Sequence, residues 1–263
     1  MANVLPKKLY KYRPWTERTR ELLSRHRLFF ASPLTFNDPF DCGLDVLCSG
    51  ATNQEIVEAV AFGQVREKHP KMPRHEMVEA TKQVGAAIFK NHLEEVRDTF
   101  IEKVRTEITN HCGVFCLCEL NDDILMWSHY ADCHKGVCLE FSAIDESADP
   151  FTNISPVVYG DDFPTVNLHA LVTNADLRQS APWMLTKATR WSYEKEWRAL
   201  EYSGPGPKPF DPKNLTGVIL GCQMPDENRR EVRAVIEASG LPIKLYEAKM
   251  ARNQFHLEIA GMT

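Results

Sequence analysis

No run of about eighteen apolar residues occurs anywhere in the 263-residue chain, so no segment reads as a membrane-spanning helix. The opening MANVLPKKLY lacks the apolar stretch of a secretion signal, and a cytoplasmic location is expected. An excess of positive charge is missing too. Lys and Arg number 31 against 36 Asp and Glu, a net charge of −5, which argues against a general electrostatic grip on nucleic acid. There is no CxxC pair, no GxSxG, no P-loop glycine run and no HExxH, and with them go the commonest signatures of zinc ribbons, serine hydrolases, nucleotide triphosphatases and zinc proteases. Internal repeats and low-complexity tracts are also lacking, so one domain spanning 1–263 is expected.

What the chain has is 43% hydrophobic residues, enough for one large core. Eight cysteines include Cys112, Cys116 and Cys118, with His111, His129, Cys133 and His134 near them in sequence. Thiolate and imidazole suit zinc, but Cys116 and Cys118 lie two apart in a predicted strand and lack the usual ligand spacing. Reduced, buried thiols acting as small apolar residues are expected, and no metal site.

The element order reads as α+β. LYKYRPW (9–15) is a predicted strand stopped by Pro14, followed by a short helix with Thr16 as its N-cap. RLFFAS (27–32) is a buried strand, and FNDPFDC (36–42) is turn chemistry. Residues 53–108 change to a charged helical pattern, predicted as a hairpin broken near His69 to Pro73. Its apolar stripe would comprise Phe89, Leu93, Val96, Phe100 and Val104. GVFCLCEL (113–120), a short helix DILMWSHYA capped by Asn121 or Asp122, and GVCLEFS (136–142) form a strand, helix, strand unit. A strand at 155–160 and an irregular stretch from 165, turning helical near Trp183 to Lys187, come next. A strand at 191–202, a loop at 203–214, the strand GVILG, a helix capped by Asp226 and strands at IKLYEAKM and 253–259 complete the chain.

The chemistry concentrates in Tyr193-Glu194-Lys195-Glu196-Trp197-Arg198. Strand alternation would place Glu194, Glu196 and Arg198 on one face, two carboxylates and a guanidinium close enough to interact. In a cleft such a trio suits stabilising a developing cation; a solvent-facing charged strand is the competing reading. Aromatic and polar residues beside tight turns supply the other cleft candidates: Tyr12 and Arg13, then Ser32, Asn37 and Asp38, then Trp127 and Tyr130. Aromatic faces can stack a nicotinamide or adenine ring, and arginine can pair a pyrophosphate. His129 is a general-base candidate by residue type, but no partner motif accompanies it, and a structural histidine is expected.

The segments LYKYRP, LFFASPLTFNDPFDC, FCLCELNDDILMWSHYADCHKGVCLEF and TKATRWSYEKEWRAL resemble domain-of-unknown-function family 2971. Their order is also similar to that of ADP-ribosyltransferases, in which an early strand carries a basic or tyrosine residue, a later one a hydroxyl triplet, and a final one Glu-x-Glu. This second resemblance implies an ADP-ribosyltransferase-like split mixed/antiparallel sheet with the helical insert. It also implies NAD as co-substrate, with Glu196 stabilising an oxocarbenium-like centre and Glu194 handling the acceptor. Lys11, Tyr12 and Arg13 become the first-strand contacts, with Arg198 in the same site, and Cys116-Leu117-Cys118 replaces the hydroxyl triplet. The resemblance implies a toxin or phage-defence effector acting on a protein or nucleic acid, with a cognate inhibitor protein as partner. An NAD hydrolase and a non-catalytic binding module are the alternatives. Glu196→Gln is expected to abolish NAD turnover without lowering the melting temperature. A nucleic-acid acceptor requires Lys7, Lys8, Lys11, Arg13 and Arg20 to gather on one side.

Overall fold

The computed structural model describes residues 4–42, 52–142, 144, 150–164 and 177–262. In chain order the first elements are β1 (Lys8–Arg13), α1 (Glu17–Arg25), β2 (Arg27–Phe30), α2 (Asn53–Lys68), α3 (Arg74–Asn91) and α4 (Leu93–His111). Next are β3 (Gly113–Cys118), α5 (Ile124–Tyr130), β4 (Val137–Ser142), β5 (Ile154–Pro156), β6 (Val158–Gly160) and the short α6 (Ala181–Met184). The chain continues with β7 (Thr186–Ala188), β8 (Glu196–Glu201), β9 (Gly206–Pro209), β10 (Leu215–Leu220), α7 (Asp226–Ser239), β11 (Lys244–Met250) and β12 (Leu257–Gly261).

Eight strands form one mixed sheet in the order β12-β11-β10-β4-β1-β3-β8-β5, antiparallel except for the parallel pair β10 and β11. β1 pairs with β4 along its whole length but meets β3 at one bridge, Tyr10 to Cys118. The sheet therefore has a weak seam between β1 and β3.

Alternation along the strands sorts side chains into two layers. Leu9, Phe115, Leu117, Leu139, Phe141, Val218 and Leu220 face α1 and α7, where Leu22, Leu23 and Val232 close the larger core. On the other face, Trp127 of α5 packs with Tyr10, Tyr12, Cys118, Cys138 and Ile219. Next to it, Phe100, Val104 and Ile108 of α4 recur every four residues and meet Val114, Leu200 and Trp183.

The short connection into β4 depends on Gly136. A Cβ there would overlap the carbonyl oxygen of Arg13 at the end of β1, and the preceding Asp132, Cys133 and His134 already hold positive φ. Gly136→Ala is expected to destabilise the protein by about 1–3 kcal/mol, read as a lower urea midpoint at unchanged slope.

Several predicted elements are revised. The hairpin break near His69 is present, but a second break at His92 makes three helices extending to His111. The predicted stripe crosses that break, leaving Phe89 53% exposed while Phe100 and Val104 are buried. The strand at 155–160 is two short ones, because the Val157 amide turns to the Glu196 carbonyl. The irregular stretch at 165–176 lies outside the described residues; the helical part is Ala181–Met184, and Lys187 belongs to β7. Asp123, rather than Asn121 or Asp122, caps α5 through the Leu125 and Met126 amides, and Pro225 precedes Asp226 at the start of α7. The last strand begins at Leu257 because Asn253 adopts a left-handed turn. Most consequential is the segment 191–202. Residues Thr189–Glu194 form a 3-10 turn, Lys195 is left-handed at φ 42°, and the strand starts only at Glu196.

Candidate active site

Glu194 and Glu196 come together even so, by a different route. The left-handed Lys195 turns its own side chain outward and sends both glutamates inward, 2% and 6% exposed. Their meeting point is Lys187 of β7, whose ammonium contacts Glu194 Oε2, Glu196 Oε2 at 3.2 Å and Asp41 Oδ2 at 3.3 Å. Arg198, fully buried, grips Glu196 through Nε and Nη2 at 2.8 and 2.9 Å. The same guanidinium grips Asp41 through Nη1 and Nη2 at 2.9 and 2.6 Å, and donates to the Met184 carbonyl at 2.7 Å. Planar bidentate pairing on two carboxylates is the arrangement for which arginine is suited.

Hydroxyl and thiol groups complete the shell. Tyr130 donates to Glu194 Oε1 at 2.7 Å, and the Tyr159 hydroxyl accepts from the Glu196 amide at 2.8 Å. Cys116, opposite Arg198 on β3, bonds to the Glu196 carboxylate; burial pushes its thiol up to about 12, so it stays protonated and donates. Trp191 lies 4.9 Å from the Lys187 ammonium and Phe36 5.2 Å from the Arg198 guanidinium, both measured to the ring centroid.

The two glutamates titrate in opposite directions. Burial pushes Glu196 up, but Arg198 and Lys187 together outweigh it and hold the carboxyl well below the usual range. Burial also raises Glu194, and there Lys187 offsets only part of it. Three carboxylates face two cations, so the fully ionised group of Asp41, Glu194, Glu196, Lys187 and Arg198 carries one surplus negative charge. Lys11 is a further cation that acts on the cluster from outside it. Its ammonium sits 4.9 Å from the Phe115 ring centroid, feels Cys116, Glu196 and Glu194 at a distance, and has its pKa lowered by burial.

Residues 126–199 match the model of a family described as protein of unknown function, DUF2971. No curated protein and no solved structure matches the chain. The DUF2971 segment takes in MWSHYA and YEKEWR and runs from α5 into β8. It therefore contains Tyr130, Lys187, Glu194, Glu196 and Arg198, while Asp41 and the NDPFD motif lie outside it.

The remaining sequence candidates separate. Tyr12 does not reach the carboxylates; its hydroxyl donates to the Leu120 carbonyl at 2.8 Å and its ring meets Trp127 edge-on at 5.3 Å. Trp127 is buried with its Nε1 donating to the Asn121 carbonyl, so it is a core residue rather than a stacking platform. Arg13 points to the opposite layer and binds Thr19. The Ser32 hydroxyl has no partner among the described residues, Asn37 is exposed, and Asp38 accepts from the Phe40 amide. Asp41, three residues further, is the member of that turn that reaches the site. His129 is exposed, and among the described residues no cluster of cysteine, histidine and acid could hold a metal ion. Asp41, Lys187 and Tyr159 were not singled out by sequence; only the acidity of FNDPFDC and the position of Lys187 in TKATRW hint at them. Because Glu196 is held bidentately by Arg198, Glu196→Gln removes a buried charge pair and must lower stability, contrary to the expectation from sequence.

Proposed function

We propose that this cluster is the reaction centre of an ADP-ribosyltransferase-like enzyme that cleaves the bond between nicotinamide and ribose in NAD. The observation that carries the reading is the opposed titration of two glutamates sharing one buried site, since environments that push paired carboxyls apart assign their acid and base roles. The weak seam between β1 and β3 supports it as the place where a sheet of that type divides. The surplus negative charge supports it as well, because a cationic nicotinamide ring or an oxocarbenium-like ribose supplies the missing positive charge.

In this mechanism Glu196, kept ionised by Arg198, faces the ribose as the C–N bond lengthens and its electron pair leaves with nicotinamide. Glu194 takes the proton of the attacking hydroxyl or amine, and Tyr130 holds the carboxyl in place. Arg198 and Lys187 serve as positioning residues whose charges set the difference between the two acids. A cavity of about 40 Å³ adjoins the cluster, lined by Cys42, Thr186 and Lys187 with Phe40, Asp161 and Phe163 around it. That volume is less than a nicotinamide ring requires, so the reading requires the mouth between Phe40 and Phe163 to widen on binding. Both rings are more than half exposed and have room to move.

One observation favours a non-catalytic module: both cations of the cluster are already paired with its carboxylates without a ligand. Incubating the pure protein with NAD labelled in the ADP-ribose half, with and without cell lysate, decides among the readings. Label on macromolecules indicates transfer, and free ADP-ribose alone indicates hydrolysis. Thermal stabilisation by NAD with neither product leaves a binding module, and no response of any kind removes NAD from the account.

A further inference from the structure

The apolar core of the helical insert is divided. Val57, Ala61 and Ile88 pack between α2 and α3, whereas Ala59, Phe100, Val104 and Ile108 join α2 to α4, and Val60 lies against both groups. A cavity of about 890 Å³ opens where the two meet, with Ala59, Val60, Gly63, Val96, Phe100 and Val104 among its walls. Close-packed interiors leave few voids larger than a water molecule, whereas small-molecule sites occupy roughly 300–1,000 Å³ and often lie between packed helices. Gly63 helps to keep the space open. It stands four residues from Ala59, on the same face of α2, and a Cβ added to it would meet no atom of a neighbouring element within 4 Å among the described residues. Glycine in a helix interior weakens the helix relative to alanine, and here its small size does not serve to bring α4 closer, because the room beside it stays empty.

Charge is confined to the rim. Arg66 and Glu67 stand on α2 and Glu95, Lys103 and Glu107 on α4, with His92 3.7 Å from Glu95 and His111 3.4 Å from Glu107. Neither sign predominates there, so nothing selects a cationic or an anionic head group, and drawing one in among the apolar walls is costly. Gln64, beside Gly63 on the rim, is exposed, and its amide has no hydrogen-bond partner among the described residues. We infer that the cleft between α2 and α4 binds an uncharged, mainly apolar small molecule of the medium-chain alcohol type, whose hydroxyl or carbonyl group meets the Gln64 amide. The charged rim bounds an apolar lining far smaller than the roughly 800 Å² that each partner covers in a stable protein complex, which favours a small molecule over a protein. The cleft shares no residue with the carboxylate cluster and does not rest on NAD chemistry.

Fluorescence titration of the full chain with N-phenylnaphthylamine, an uncharged dye that brightens in apolar surroundings, tests the inference. Saturable binding at a single site per chain is expected. Decanol is expected to displace the dye at an about tenfold lower concentration than decanoate or decyltrimethylammonium, which carry the same chain on charged heads. Gly63→Ala, with room for its methyl group, is expected to raise the melting temperature by about 2–4 °C. Gly63→Leu fills the cleft with a good helix former and is expected to weaken dye binding about tenfold or more without lowering the melting temperature. Glu194→Gln is expected to bind the dye as the wild type does. The inference is overturned if no saturable binding is seen, if a charged homologue displaces the dye at a lower concentration than decanol, or if Gly63→Leu keeps the wild-type affinity. It is overturned equally if Gly63→Ala lowers the melting temperature, if Glu194→Gln removes the binding, or if sedimentation shows a dimer that Gly63→Leu dissociates, which puts a second copy of the chain in the cleft.

Discussion

Arg198→Met should lower the unfolding free energy by about 3–5 kcal/mol, the largest stability effect expected of any single substitution in the site. The argument is one of charge left behind. Arg198 grips Asp41 and Glu196 with two hydrogen bonds each, where Lys187 reaches them only by single, longer contacts, and methionine fills much of the Arg198 volume without answering either carboxylate. With Lys187 as the remaining cation, the buried group goes from one surplus negative charge to two. The deficit has a predictable pH dependence. In the wild type the depressed pKa of Glu196 contributes stability above the ordinary carboxylate range, and that contribution fades as pH falls below it. Removing Arg198 takes away the depression, so the difference between the two proteins is largest near neutrality and shrinks as the solution is acidified toward the carboxylate range. Urea denaturation at several pH values reads both effects. A deficit under about 1 kcal/mol at pH 7 would mean that the cluster is hydrated in solution and behaves as a surface ion pair.

Much of this site was legible in the sequence, and the illegible part has a physical cause. Glu194, Glu196 and Arg198 were singled out by strand alternation, and they do share a site. Alternation, however, is not what unites Glu194 with the other two, because the backbone between them reverses hand at Lys195. A lysine in the left-handed region leaves no mark that a sequence pattern can show, since that conformation falls on non-glycine residues only where tertiary contacts impose it. Asp41 and Lys187 were invisible for a related reason. Asp41 lies 157 residues from the Arg198 it pairs with, and no local spacing encodes such a contact. The elements whose character is set by burial were the readable ones: β1, β3 and β4 by their apolar runs, and α1 by its start after Thr16. The helical insert was readable in outline, and its second break was not, because His92 carries no proline or glycine signal.

Glu194→Gln is the substitution that most cleanly divides chemistry from architecture. NAD turnover is expected to fall by about 10²–10³ while the loss of stability stays near or below 1 kcal/mol. The asymmetry with Glu196 follows from their surroundings. Burial raises the Glu194 pKa and so makes loss of its charge less costly, and glutamine can still accept from Tyr130 while relieving the surplus negative charge. At Glu196 the same change would strand Arg198, so a loss of turnover there could not be told from a loss of fold. A second signature comes from linkage. A raised carboxyl pKa in the folded state contributes stability that is complete below the unfolded value and is lost as pH rises through the folded one, so the wild type should weaken over that window. Glu194→Gln has no proton to lose there, and its stability should stay level across the same window. A variant that keeps full NAD turnover takes Glu194 out of the mechanism. One that loses several kcal/mol shows instead that the Glu194 carboxylate is ionised and structural, held by Lys187 as part of the frame.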